Sequence, residues 1–525
     1  MVQGFIGGRG KSDLLAGWGR PSRRHARFAA PFCMPPPRRR SVVLAFILVT
    51  VIFLLRSDPA TFGFKDRPDR PNFRHAPKCD QAVDHLRKPS YELTREVIYQ
   101  KRCIRPVIDN SVDRDALTNL SQPLVGEGQL IRLDQTCEGW QEPECEPITL
   151  EVPAAYPVQD YSHMIFGVAT SLERLNESML QFESWMAHSG ARLLAVITDE
   201  KYNTKIQAKY DQVASQFHEQ GIDLTLIRPW NSTVTTNEQH FTIVRDLLRH
   251  ATPETKWAAI VDDDTFFPSL YPLGQILDKH DHTRPAYLGA LSDNYDAVKH
   301  HGFMAFGGAG VFLSIGLLQE LDPHIEKCLD EDHVPQGDGL LKACIYSSTS
   351  AELTVIDGLH QLDMGSDLSG LYESGELPVS LHHWKSWHHA PVDEMVKVST
   401  LCGSCFLQRF KFGSDTILSN GYSIAVYADG IDSLDLTHKE GTWDGYPGFE
   451  WSLGPMRDPL DRFHKKSYRL AVSESSGRTL RQIFVHRVED QMPSQREIDQ
   501  AGPGNIKLPK MSSMRDEVIE LWWEW

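Results

Sequence analysis

The 525-residue chain has no internal repeats and no long low-complexity tract, which excludes a solenoid and leaves room for two or three distinct domains. Positive charge is scarce beyond the first 56 residues. That leader carries ten Lys/Arg and one acid, Asp13, leaving 44 Lys/Arg against 69 Asp/Glu, a net of −25, in the remainder. An acidic body excludes a general nucleic-acid binder, so no nucleic-acid partner is expected. Cysteine is sparse, at nine residues, and only Cys33 lies in the leader. Long apolar runs are also lacking, with one exception.

The exception is Ser41–Leu55, directly after Arg38-Arg39-Arg40. As a helix it would be roughly 22 Å long at about 1.5 Å per residue, against a bilayer core of about 30 Å. Three readings compete. A cleaved signal peptide would have an unusually long charged leader, and Arg56-Ser-Asp-Pro-Ala60 is a poor cleavage site. A buried core helix does not suit an apolar run flanked by arginines. A signal anchor with a cytosolic N-terminus satisfies the positive-inside rule and suits the thinner membranes of the early secretory pathway. The expectation is therefore a single-pass type II protein of the Golgi or ER membrane, its catalytic domain in the lumen. Eight cysteines follow the anchor (Cys79, Cys103, Cys137, Cys145, Cys328, Cys344, Cys402 and Cys405), an even count that fits disulfides of unspecified pairing. Glycosylation sequons occur at Asn119, Asn176 and Asn231.

The pattern divides the chain into a basic tail (1–40), the anchor (41–55), a Pro- and Cys-containing stem (56–160), an α/β domain (161–398) and a β-rich C-terminal region (399–525). From Tyr161, apolar runs of strand length alternate with helical spacing: a strand at Met164–Ala169, one helix through Leu172 and Met186, strands near Leu193, Leu224 and Trp257 with helices between them. Repeated βα units predict a mostly parallel, twisted, Rossmann-like sheet. Beyond Cys402, the runs at 468–472 and 483–488 flank Ser476-Gly477 as a hairpin. The terminal Leu521-Trp522-Trp523-Glu524-Trp525 leaves two placements open, packing back on the catalytic domain or joining a homodimer.

The most telling segment is Trp257-Ala-Ala-Ile-Val-Asp262-Asp263-Asp264-Thr265. Three adjacent carboxylates at the end of a buried strand repel one another unless a cation sits among them, and strand ends in open α/β sheets are where ligands bind. A solvated acidic turn is the plain alternative. Gly307-Gly308-Ala309-Gly310 lets backbone approach a ligand closely, or simply packs tightly. Asp338, between Gly337 and Gly339 just before a helix, suits a general base or a helix N-cap. Thr170 and Asp199, at the ends of the first two strands, suit nucleoside contacts or helix caps.

Lys256-Trp257 through Asp262-Asp263-Asp264-Thr-Phe, Gly307-Gly-Ala-Gly310, Gln336-Gly-Asp338 and a late Leu-His382, in that order, resemble the signatures of the Fringe-like glycosyltransferases, which include Fringe and the core 1 β1,3-galactosyltransferases. The likeness covers about residues 160–390 and is strongest to fungal members with an extra C-terminal region. It implies a GT-A fold, a UDP-sugar donor, a glycan or glycoprotein acceptor, a divalent metal such as Mn2+, and inversion at the anomeric carbon. By the resemblance Asp264 is the direct metal ligand, with Asp262 beside it and His382, or its neighbour His383, completing the site. Asp262, Asp263 and the loop of Gly307, Gly308, Ala309 and Gly310 would face the donor, and Asp338 would deprotonate the acceptor. The expected reaction is transfer of a hexose or N-acetylhexosamine, with N-acetylgalactosaminide β1,3-galactosyl transfer ahead of β1,3-N-acetylglucosaminyl transfer. A metal-dependent phosphoesterase and a non-catalytic lectin on the same fold are the competing classes.

Overall fold

The computed structural model describes residues 83–134, 145–198, 204–231, 233–331, 337–385, 390–444, 448–502, 510 and 514–525. All lie in one compact unit, Pro68–Trp525; the other, Met1–Arg67, falls outside the described residues. The expected tail and anchor therefore fall outside them too, as do Cys79, Cys137 and Asp199. Among the described residues no helix is long and apolar enough to cross a membrane.

The chain first lays down β1 (Glu96–Ile108), β2 (Thr118–Leu120), β3 (Gln129–Arg132) and β4 (Pro147–Val152). The α/β region follows. It runs β5 (Met164–Thr170), α1 (Leu172–Glu177), α2 (Met179–Met186), β6 (Arg192–Ile197), α3 (Thr204–Glu219), β7 (Asp223–Ile227), α4 (Thr236–Arg249) and β8 (Trp257–Ile260). Then come α5 (Leu270–Leu277), β9 (Tyr287–Gly289), α6 (Tyr295–His301), β10 (Val311–Ser314), α7 (Ile315–Leu321), α8 (Ile325–Glu331), α9 (Gly337–Ser348) and β11 (Leu353–Val355). Seven strands form one sheet in the order β11-β9-β10-β8-β5-β6-β7.

The sheet is parallel except at β10, which runs antiparallel to both β8 and β9, so it is mixed where only the parallel part was legible. α6 and the turn through Gly307–Ala309 bring the chain back antiparallel to β9 at β10. Two expected helices are interrupted. Ser178 separates α1 from α2, its hydroxyl donating to the Arg174 carbonyl, a side-chain bond that competes with the helix ladder. Pro323 lies in the short Asp322–His324 turn between α7 and α8, where proline cannot supply the N–H that a continuous helix requires.

After α10 (Ser369–Glu373) and α11 (Val392–Cys402), β12 (Arg409–Phe412), β13 (Thr416–Ser419), β14 (Ser423–Tyr427), β15 (Lys465–Ser476), β16 (Thr479–His486) and β17 (Asp516–Glu524) complete a second sheet. Its order is β2-β12-β13-β14-β15-β16-β17-β1-β3, with β4 also on β1. β1 to β4, in the stretch expected to be stem, are thus strands of the same sheet as the C-terminal region. One apolar core joins the two sheets, running from Phe166, Phe182 and Trp185 to Phe406, Phe484 and Trp523. Burial of so much apolar surface makes the C-terminal region part of the folded body rather than an appendage. The terminal run packs back on its own chain: Leu521 and Trp523 are fully buried, and Lys101 and Arg481 lie over the Trp522 ring. Nothing in it supports a homodimer. Disulfides link Cys103–Cys145, Cys328–Cys344 and Cys402–Cys405.

Candidate metal and catalytic site

β8 ends in the Asp262–Asp264 turn, and the turn is built by Thr265. Its hydroxyl accepts from the Asp262 N–H (2.9 Å) and donates to the Gly308 carbonyl (2.8 Å), while the Thr265 N–H returns to the Asp262 carbonyl (3.1 Å). Immediately afterwards Phe266 pairs with Leu381 through two 2.8 Å backbone hydrogen bonds. That short ladder carries His382, from far along the chain, onto the acidic turn. His382 Nε2 lies 3.0 Å from Asp262 Oδ2 and 3.0 Å from Asp264 Oδ1. Asp264 is buried, whereas Asp262 remains 29% exposed at the open edge.

Burial alone would discharge His382, but the hydrogen bonds to Asp262 and Asp264 outweigh it and raise the imidazole to about 10. Burial likewise pushes both aspartates up, and His382 holds them below the usual carboxylate range. His240, on α4, adds a second imidazole 3.5 Å from Asp262 Oδ1. His383 sits at φ +58°, the left-handed region that β-carbon residues avoid. This backbone turn sets its ring tilted against His382 (3.8 Å between centroids) and aims Nε2 at Asp363 Oδ1, 2.9 Å away.

A divalent cation fits this donor set. Asp264, His382 and His383 each offer one ligand atom, all within 4.8 Å of one another, and Asp262 adds a carboxylate. Neighbouring ligands of an octahedral ion bound at about 2.1 Å lie about 3 Å apart, the spacing His382 Nε2 already has to both aspartates. Mixed carboxylate and imidazole ligation suits Mn2+ and its first-row neighbours without selecting one.

Asp263 turns elsewhere. It accepts from the Thr170 hydroxyl and from Arg174 Nε (2.8 Å) and Nη2 (2.5 Å). Thr170, expected at a nucleoside, is thus spent on fixing Asp263. Arg174 is half-exposed, and the partly buried Lys385 lies in the same field of carboxylates. Two cations therefore flank the acidic turn at the end of β5.

The glycine loop is a cradle for two side chains. A Cβ on Gly308 would stand 2.1–2.4 Å from the His382 ring, and one on Gly307 would stand 2.6 Å from Asp338 Oδ1. Ala309 donates its N–H to Gln361 Oε1 (2.9 Å) and accepts from the Ser380 hydroxyl (2.6 Å), and Gly310 takes φ +100°. Asp338 lies inside the first turn of α9 and accepts from the Gly307 N–H at 2.8 Å. Burial raises its pKa to about 6; Asp262 pushes the same way, against the Gly307 hydrogen bond. It faces a cleft of about 400 Å³ that Asp363 and Gln361 also line.

The structure thus brings together Asp262, Asp264, His382, Gly307, Gly308 and Asp338, and pairs Thr170 with Asp263 beside them. Arg174, His240, Asp363, Gln361 and Lys385 are members that sequence reasoning missed.

Comparison with known proteins gives likenesses without an activity. Residues 296–451 match one family model, DUF604, described as a protein of unknown function. No protein of curated function matches the chain. Solved structures that resemble it include a mannosyltransferase, PcManGT from Pyrobaculum calidifontis, in complex with GDP-Man and Mn2+ (13% identity, TM-score 0.25, 37% of this chain and 56% of that one). Others are the galactosyltransferase LgtC with donor and acceptor sugar analogs (11%, 0.27, 45% and 82%) and the glycosyltransferase GlyE of Streptococcus pneumoniae TIGR4 (15%, 0.30, 46% and 60%). At these values the likenesses carry no argument about activity.

Proposed function

We propose that the protein is a metal-dependent inverting glycosyltransferase that moves a hexose or N-acetylhexosamine from a UDP-sugar to a glycan hydroxyl, forming a β1,3 link. The observation that carries the reading is His382 Nε2 at 3.0 Å from both Asp262 and Asp264, beside a cleft faced by the separate carboxylate of Asp338. Glycosyl transfer needs those two parts. Asp262, Asp264 and His382 would hold a divalent cation, which when bound neutralises the departing diphosphate. Arg174 and Lys385 add positive charge at the same strand end. Asp338 accepts the proton of the acceptor hydroxyl as its oxygen bonds to the anomeric carbon and the bond to the diphosphate breaks on the opposite face. A carboxylate raised to about 6 is ionised at neutral pH yet basic enough to take that proton. The Ser41–Leu55 run and the three disulfides support a lumenal, membrane-anchored setting.

The test is turnover of a UDP-sugar panel by the full-length protein with Mn2+, in wild-type and Asp338→Asn forms. Wild-type transfer is expected, with kcat about 10²–10⁴-fold lower in the variant and UDP binding retained. Full activity in Asp338→Asn would remove the base from this role, and no UDP binding by the wild type would remove the donor assignment.

A further inference from the structure

Three exposed aromatic side chains gather at one edge of the Asp338 cleft: Tyr295 (44% exposed), Phe303 (55%) and Trp451 (64%). Single exposed apolar residues are ordinary, but a contiguous set beside a cleft marks a binding surface. Phe303 and Trp451 meet edge-on with centroids 5.3 Å apart, and Phe449 links Trp451 (6.0 Å) to Tyr295 (6.1 Å). Their chain neighbours reach the cleft: Asn294 and Asp296, on either side of Tyr295, and Met304, after Phe303, line it.

The surface is fixed by backbone. Gly448 bridges to Asn294, the Phe449 N–H donates to the Asp293 carbonyl (2.7 Å), and the Ser452 hydroxyl donates to the Ser292 carbonyl (3.2 Å). Ser292 also holds Asp363 through its hydroxyl at 2.7 Å. The segment carrying Trp451 is therefore tied to the cleft wall, although it lies beyond the stretch of sequence that resembles the Fringe-like transferases.

We infer that Tyr295, Phe303 and Trp451 form a stacking subsite for a sugar ring of the acceptor. This deepens the glycosyltransferase reading and rests on it. A pyranose presents an apolar face of C–H groups and an edge of hydroxyls. The negatively charged face of an aromatic ring suits the first, and Asn294, Asp296 and Asp363 supply partners for the second. The donor's nucleoside is the other flat candidate, but its diphosphate belongs with the Asp262–Asp264 turn, and the aromatic face lies on the Asp338 side.

Saturation-transfer NMR on the full-length protein with Mn2+ tests this, with methyl glycosides of galactose, N-acetylgalactosamine and N-acetylglucosamine as probes and UDP as the donor-site control. The expected result is transfer to the ring protons of at least one glycoside. Binding falls about tenfold in Trp451→Ala and Phe303→Ala, the loss of one good stacking contact, and is kept in Trp451→Phe, with UDP binding unchanged in all three. The same glycoside as acceptor should show a raised KM with an unchanged donor KM. Equal glycoside binding in wild type and both alanine variants, no glycoside binding at all, or loss of UDP binding alongside the glycoside would overturn the subsite. Failure of the underlying reading is distinct: the wild type would then not bind UDP, whatever the glycosides do.

Discussion

Lys465 and His382 are both buried cations set between two carboxylates, and there the similarity stops. Lys465 Nζ lies 2.6 Å from Glu373 and 3.0 Å from Glu440; Arg457 adds a second cation to Glu440 at 2.6 Å, and the Tyr427 hydroxyl donates to Glu373 at 2.9 Å. Two positive charges meet two negative ones, and both glutamates are 1% exposed. Around His382, the Asp262 and Asp264 carboxylates are bonded by an imidazole, Arg174 and Lys385 stand off on the Asp263 side, and Asp262 stays open to solvent. Burial would discharge Lys465, but Glu373 outweighs it and holds the amine well above its usual range. A lysine so held is a permanent counter-charge, whereas an imidazole can surrender its proton to a metal. A closed, self-neutral cluster serves the fold; an open one whose histidine can give up its proton serves a ligand.

The strongest way to break that comparison is to mutate both. Lys465→Met leaves two buried carboxylates without their lysine and is expected to destabilise the protein by about 3–5 kcal/mol in chemical denaturation. Asp264→Ala should leave the fold intact while lowering transfer about 10²–10³-fold or more. In wild type, Mn2+ at a hundred times its Kd should add about 2.7 kcal/mol of stability, and the variant should gain almost none. At a fixed Mn2+ concentration that gain should grow with rising pH, because a cation must displace the proton that His382 otherwise keeps up to about 10. Equal Mn2+ stabilisation of the Asp264→Ala form would erase the distinction between the two clusters.

A smaller effect is expected at Gly308. Its Cβ would collide with the His382 ring, so Gly308→Ala should weaken Mn2+ affinity about 10–100-fold, read by titration calorimetry. Unchanged affinity would mean that the loop is not what positions the histidine.

The smallest concerns His360, a third arrangement, which bridges Asp293 and Glu376 at 3.2 Å each. Burial lowers its pKa, and the two acids override this to reach about 10. Its folded pKa lies above the unfolded 6.5, so its contribution is complete below pH 6.5 and disappears as pH rises to about 10. The stability gap between wild type and His360→Gln should shrink across that window. A gap independent of pH would show that His360 acts by packing alone.

The order of strands and helices, the acidic turn and the late histidine were legible because each has a local signal: period, breaker or charge repulsion. The glycine loop was legible only as a place of close approach; that the approaching groups are His382 and Asp338 needed the third dimension. Arg174 left a trace that could have been followed. It stands four residues after Thr170, beside the strand end at which ligands bind in open α/β sheets. Lys385 directly follows the histidine motif and could have been weighed with it. His240 carries no such mark. The placement of β1 was not legible at all, since pairing between residues hundreds of positions apart has no local signature.

That placement governs how the chain can be made. β1 lies parallel to β17, Val97 opposite Asp516 and Ile104 opposite Trp523, with β3 and β4 on its other side. A nascent chain that has not yet reached residue 516 leaves one edge of β1 unpaired, and exposed strand edges invite wrong partners. The whole α/β region emerges in that interval, so this edge must be shielded by something other than its eventual neighbour until β17 arrives.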